Sequence, residues 1–369
     1  MHLDLRRVFG IHEFLGPETG EKIWELTERT LAREDMFPQA LLRRMGGRLF
    51  FTTDDPLDDL SHHKVARATI SDIIFLPTFR PDAYVNIFDP RWKENVERLC
   101  SFTGEDATLQ GLVEALRKRH TYFATMGARA SDHGLLEPWG LEVSQTRAEE
   151  IFMRAYQRGE RFAPRSPETR DFISYMMHCF CEMNRDHHMA TQIHYGTLRN
   201  ANDYLYENWR NDVGGDTILD DVKVVEYLRP LLVRFFSGKS KEESHLVLYA
   251  MNHSFIHVHI ALERVFPRVH TGFPWWYNDA PYLIEQALLE MANSSLFTSM
   301  SGPVADGRKI LSEGSRFEVF DRMICQVVGK LLSEGQISPQ GATRMVEALM
   351  YHNGVYIFGL EKILSQTCP

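Results

Sequence analysis

Residues 190–200 read Ala190-Thr-Gln-Ile-His194-Tyr-Gly-Thr-Leu-Arg199-Asn200. The first five form an apolar, β-favouring run, and Gly196 to Asn200 form the polar cluster that ends it. Upstream, residues 168–185 carry apolar side chains at helical spacing over a length that suits a helix. The same order, β-type run, polar cluster and helical stretch, recurs on both sides. Before it, Arg48-Leu-Phe-Phe-Thr52 stops at Thr53-Asp54-Asp55-Pro56, and Ile73-Ile-Phe-Leu-Pro-Thr78 stops at Phe79-Arg80-Pro81-Asp82. Gly127-Ala-Arg-Ala130 then stops at Ser131-Asp132-His133. After it, His245-Leu-Val-Leu-Tyr-Ala250 ends in Asn252, and Arg268-Val-His-Thr-Gly272 ends in Trp275-Trp276-Tyr277-Asn278-Asp279. Leu296-Phe-Thr-Ser-Met300 leads to Asp306-Gly307-Arg308.

Strands alternating with helices imply a parallel sheet with right-handed crossovers. The expected fold is α/β, a TIM-type (β/α)8 barrel with seven of its eight strands present. The polar clusters then fall where the strands end, which is the active-site face of such a barrel. A doubly wound open sheet is the competing architecture, but the Gly-rich dinucleotide fingerprint it often carries is missing. Residues 1–46 stand outside the rhythm. They hold two amphipathic patterns, 19–33 and 35–45, and read as the tail of a helical insertion. Residues 47–369 form the barrel, closed by helical patterns at 318–332 and 338–363.

The 369 residues are 44% hydrophobic and 25% charged, which excludes a disordered or fibrous chain. Asp and Glu number 50 against 41 Lys and Arg, a net charge of −9, so a nucleic-acid partner is not expected. An anionic small molecule remains possible, because an arginine a few ångströms away outweighs screened distant charges. No uncharged apolar run approaches the roughly 20 residues of a membrane span, and residues 1–7 lack the apolar segment of a signal peptide. A cytoplasmic protein is expected. The five cysteines, Cys100, Cys179, Cys181, Cys325 and Cys368, are unpatterned and suit reduced thiols. Cys179-Phe-Cys181 has no second pair at zinc spacing. His62-His63 and His187-His188 are expected to face solvent.

The polar clusters together with Leu3-Asp-Leu-Arg-Arg-Val-Phe-Gly-Ile11 resemble those of the uronate isomerase (glucuronate isomerase) family. That family belongs to the amidohydrolase superfamily of metal-associated barrels. The resemblance covers nearly the whole chain in the family's order. It implies that residue 1 lies beyond the family's first strand, which carries a His-x-His metal motif, and beyond a helical region with a His-Tyr pair. The family's Asp-Ser-Arg stands here as Asp306-Gly307-Arg308. Phe255-Ile-His257-Val-His259 replaces a Pro and an acidic residue expected near Asn252.

The implied reaction interconverts an aldose sugar acid, glucuronate or galacturonate, with its ketose by moving a proton between C2 and C1. Asp306 is the candidate base and a possible metal ligand; the plain alternative is a loop cap. Arg80 and Arg308 are candidates for holding the substrate carboxylate, since a guanidinium binds it bidentately; the alternative is a surface ion pair. His194 is a metal ligand, an oxyanion donor or a core histidine. Asp132 orients a substrate hydroxyl or a neighbouring histidine. Of Trp275 and Trp276, one is expected in the core and Trp275 in the pocket. Arg199 is a second anion contact or a helix-start residue. A divalent metal such as zinc, held by Asp306 and His194 alone, would be under-coordinated, so metal is expected to be weak or absent. His257-Val-His259 is a remote substitute pair. The implied partners are a sugar acid and further copies of the chain. The competing functions are a non-catalytic barrel without its first strand and a metal-dependent hydrolase.

Overall fold

The structure is a computed structural model that describes residues 1–240, 244–294, 297 and 299–365. Among the described residues eight strands are formed: β1 (Leu49–Phe51), β2 (Ile74–Leu76), β3 (Ala130–Leu135), β4 (Ala190–Tyr195), β5 (Thr197–Leu198), β6 (Thr217–Ile218), β7 (Leu246–Ala250) and β8 (Val269–Thr271). β1 pairs with β2, and β3, β4, β7 and β8 pair in that order, all parallel. Phe79 joins the two groups, bridging to Asp54 on one side and Ser131 on the other. β5 and β6 form a small antiparallel pair that flanks the helix Asp203–Trp209. The α/β class with a parallel sheet is therefore present.

Three expectations need correction. Among the described residues, six strands run parallel rather than seven. The seventh expected strand, 296–300, partly lies outside the described residues, and Phe297, Ser299 and Met300 are not in a strand; Ser301 N–H still donates to Thr271 O at 3.0 Å. The third strand starts at Ala130 and runs on through Asp132 to Leu135, so Asp132 lies within a strand rather than after one. Gly127 in the expected run takes φ +91, a left-handed conformation that ends the preceding helix instead of starting a strand.

Strand side chains alternate between faces. The outward residues of β3 and β4 meet helices Leu109–Thr125 and Pro167–Asp186 in a core that includes Phe79, Phe123, Phe180 and Ile193. Both helices begin well: Thr108 Oγ1 accepts from Gly111 N at 3.0 Å, and Ser166 Oγ accepts from Thr169 N at 3.2 Å with Pro167 at the first turn. This core also holds a buried polar knot. Asn184 Nδ2 donates to Ser131 Oγ (2.7 Å) and Thr191 Oγ1 (2.8 Å), and its Oδ1 pairs with His120 Nε2 (2.8 Å). Ser131 Oγ also meets His133 Nε2 at 2.8 Å. The knot ties the polar outward residues of β3 and β4 to the helices, as buried polar groups require.

The inward face is small and apolar at the strand starts, where Ala130, Ala190 and Val247 cluster with Ile357. Ile357 ends the helix Asn353–Ile357. Asn353 Nδ2 donates to Phe297 O (2.8 Å) and Met300 O (2.7 Å), while Phe358 packs on Phe51 of β1 at 5.4 Å. This C-terminal segment thus touches both the first strand and the chain beyond β8. At the N-terminal end, helices His2–Phe9, Gly20–Leu31 and Pro38–Arg44 form. Arg7 grips Glu318 with two bonds of 2.7 and 2.6 Å, which anchors the first helix on helix Ile310–Ser333.

Candidate active site

The register sets the inward row. Asp132 lies opposite Gln192, Gly134 opposite His194, and His194 opposite Tyr249. Arg80 follows Phe79, which bridges to Ser131, so Arg80 falls on the inward side next to Asp132. Its Nη1 lies 3.5 Å from Asp132 Oδ2, its Nη2 3.2 Å from His194 Nε2, and its Nε donates to Asp82 Oδ2 at 3.0 Å. His194 Nε2 is 3.3 Å from Asp132 Oδ2. Trp275 closes the ring: its indole stands edge-on to His194 at 5.4 Å, and its Nε1–H donates to Asp306 Oδ2 at 2.8 Å. Tyr249 packs against the same indole at 6.2 Å.

The charges in this cluster separate. Burial alone would lower the Arg80 guanidinium, but Asp132 and Asp82 outweigh it and raise its pKa, so the cation is secure. Burial also pushes the Asp132 carboxyl up, yet the His194 ring and Arg80 overcome this and hold it at about 2. For Asp82 burial wins: its pKa rises above the usual carboxylate range against the pull of Arg80 and His194. Burial likewise raises the Tyr249 phenol, with Asp132 and Asp306 adding to the rise, so it stays a neutral O–H. One guanidinium therefore faces one firm carboxylate and one carboxyl that takes a proton more readily.

Asp306 takes φ +43 and Trp276 φ +54. Non-glycine residues seldom hold such angles, and they gather where structure around them over-determines the backbone. At Gly307 a Cβ would lie 1.5 Å from Glu313 Oε1, so a side chain there needs the Glu313 carboxylate turned aside.

The remaining sequence candidates lie elsewhere. Arg308 is 76% exposed and points to Asp212, 3.4 Å away. Arg199 binds Asp216 at 2.6 Å, lies 3.7 Å from Asp212, and stacks over Trp276 at 4.9 Å. Arg199 lies between β5 and β6, and Arg308 reaches Asp212 on that same stretch from the loop after Asp306. Neither tryptophan is a core residue, contrary to the expectation for one of them; both are half-buried. His63 is buried rather than solvent-facing, with Nε2 at 2.7 Å from Thr52 Oγ1, because its helix lays it against the β1 end. His257 and His259 part company: His257 is exposed beside Glu290 at 3.5 Å, and His259 is buried against Tyr195 Oη at 2.6 Å. Cys179 and Cys181 are buried free thiols pushed up to about 11 and about 12 by desolvation. Cys368 lies outside the described residues.

The residues present do not fit a divalent metal. His194 Nε2, the candidate ligand atom, faces the Arg80 guanidinium at 3.2 Å, and a cation beside a cation is repelled. Among the described residues no group of three or more His, Cys, Asp or Glu is placed to hold one.

With this geometry in view, a sequence model of the glucuronate isomerase family matches residues 1–358. The chain belongs to the glucuronate isomerase family. A uronate isomerase from Thermotoga sp. (strain RQ2) is 38% identical over 359 residues, 97% of this chain and 77% of that one. The crystal structure of uronate isomerase from Thermotoga maritima superimposes with a TM-score of 0.91 at 38% identity, covering 97% of this chain and 77% of its own. That of glucuronate isomerase from Caulobacter crescentus gives 0.90 at 25% identity, covering 98% and 74%.

Three members of the inner cluster, Asp82, Gln192 and Tyr249, are not among the site candidates that the sequence singles out. Asp82 closes the Arg80-Pro81-Asp82 cluster, and period-two alternation back from His194 reaches Gln192. Tyr249 needs the pairing of β4 with β7.

Proposed function

We propose that this chain interconverts D-glucuronate with D-fructuronate, and D-galacturonate with D-tagaturonate, on a TIM-type barrel scaffold. What carries the reading is the convergence of Arg80, Asp132, His194 and Trp275-bound Asp306 on one side of the parallel sheet, in a chain 38% identical to a uronate isomerase over 359 residues.

In the open-chain sugar acid the C2 hydrogen is acidic because it adjoins the C1 carbonyl. Asp306 removes that proton, and the electron pair moves into an enediolate. Returning the proton to C1, while the O2 hydroxyl proton passes to O1, gives the ketose. The indole N–H of Trp275 fixes the orientation of the Asp306 carboxylate, so the base reaches C2 from one side. Arg80, always charged, neutralises the enediolate oxygens or the substrate carboxylate. His194, held by Asp132, donates to an oxygen at C1 or C2, and Asp132 also accepts from a sugar hydroxyl. Arg199 and Arg308 form an outer rim that meets the anionic substrate on approach. No step passes through a metal. Self-association into a homo-oligomer and a cytoplasmic setting complete the reading.

The test is direct. Purified chain is assayed with D-glucuronate and D-galacturonate for ketose formation. Turnover of either, abolished by Asp306→Asn, is expected; turnover of neither overturns the reading.

A further inference from the structure

Asp82 takes no part in the proton chemistry above, yet the direction of Arg80 depends on it. We infer that Asp82 is a positioning residue: its carboxylate ties the Arg80 guanidinium to the main chain of β3 and so sets the plane in which that guanidinium meets the substrate. The inference rests on the isomerase reading and deepens it.

A single carboxylate joins two strands here. Oδ2 accepts from Arg80 Nε at 3.0 Å, while Oδ1 and Oδ2 lie 3.2 and 3.1 Å from the Gly134 N–H. The ladder bond from Arg80 N to Asp54 O, 3.1 Å, fixes the Arg80 backbone but not its long side chain. A guanidinium is a rigid planar fork, so turning Nε–H back to Asp82 sends Nη1 and Nη2 forward to Asp132 and His194.

Gly134 supplies a second, independent observation. A Cβ at this position would stand 2.7 Å from His194 Cε1, 2.9 Å from Asp82 Oδ2 and 3.1 Å from Arg80 Nη2. Gly134 lies within β3 and is absent from the glycines of positive φ, so its backbone angles do not call for glycine. A Cβ here would push apart the ends of the three side chains that meet over this Cα, and the Gly134 N–H is the anchor that Asp82 uses.

The experiment is Asp82→Asn in the full chain, with steady-state kinetics on D-glucuronate and hydrogen exchange of the peptide that carries Gly134. The amide keeps the size but removes the negative charge, and its NH2 group replaces one of the two oxygens that face the Arg80 Nε–H and the Gly134 N–H. The expected result is a KM raised about ten-fold with kcat changed by less than about three-fold, as for loss of one charge-assisted bond. Exchange at Gly134 should quicken about ten-fold. Gly134→Ala, which leaves the Asp82 charge in place, should reproduce the KM rise. Unchanged KM, unchanged exchange at Gly134, or a loss confined to kcat each overturns the assignment. Should the unsubstituted chain turn over neither uronate, the isomerase reading falls, and the exchange measurement still decides whether Asp82 anchors on Gly134.

Discussion

Arg80 and Arg308 are both arginines beside carboxylates near the mouth of the sheet, yet they are held very differently. The Arg80 side chain is 32% exposed and bonded or paired to Asp82, Asp132 and His194; that of Arg308 is 76% exposed with Asp212 alone at 3.4 Å. Arg80 follows a residue locked between two strands, so its starting point is set by the backbone ladder. Arg308 lies on a loop after Asp306 and depends on its partner, an exposed ion pair worth about 0–1 kcal/mol. The difference teaches that a site is only as firm as the element beneath it. It divides the mouth into a fixed inner cluster and an adjustable rim.

The sharpest way to break this division is at Asp306, the proposed base. Asp306→Asn is expected to cut kcat about a thousand-fold, the scale of a lost general base; a loss under ten-fold in the uronate assay would move the chemistry elsewhere. Arg80→Lys keeps the charge but loses the fork. A fall in kcat/KM of about a hundred-fold is expected, because Lys cannot reach Asp82, Asp132 and His194 together.

Behind the inner cluster, Asn184→Ala would leave His120, Ser131 and Thr191 without their shared partner. Urea unfolding should show a loss of about 2–4 kcal/mol, since buried polar groups left unpaired are costly.

The same knot predicts acid sensitivity. Burial drives the His120 pKa down to about 4 and that of His133 down to about 3, and among the described residues neither Nδ1 has a hydrogen-bond partner. Both rings are neutral in the folded chain but bind protons near pH 6.5 when unfolded. Their preference for the folded state is complete above about pH 6.5 and is lost as pH falls from there through about 4. Unfolding free energy should drop by up to about 1.4 kcal/mol per pH unit for each ring across that window, and His120→Gln should flatten the slope. The smallest effect belongs to the rim: Asp212→Asn should move KM by about three-fold or less and leave kcat alone. A larger change in the uronate kinetics would join the rim to the inner cluster.

Much of this molecule was legible in residue order. The alternation of β-type runs with helical stretches predicted the parallel sheet, and the polar clusters marked the residues at strand ends. Hydropathy misplaced β3, because it reads Ser131, Asp132 and His133 as the end of a strand. In the folded chain Ser131 and His133 turn outward into the knot with Asn184, while Asp132 turns inward to Arg80 and His194. Partners 50 or more residues away make those polar residues compatible with a strand, as Ser131 with Asn184 illustrates, and no local pattern reports them. His63 is buried instead by partners nearer in the chain, since Thr52 and Asp54 reach it across the end of β1.

Residue types and their spacing alone determined the α/β class with its parallel sheet, and the motifs at Asp306, Arg80 and His194 carried the resemblance to the family. Which arginine is held and which stays loose was decided only in three dimensions. So were the splitting of Asp132 from Asp82, the linking of Trp275 to Asp306, and the use of Gly134 as an anchor. The physical reason is that periodicity and propensity act over a few residues, whereas a carboxylate's charge and a guanidinium's direction depend on neighbours that only strand pairing brings within about 3 Å.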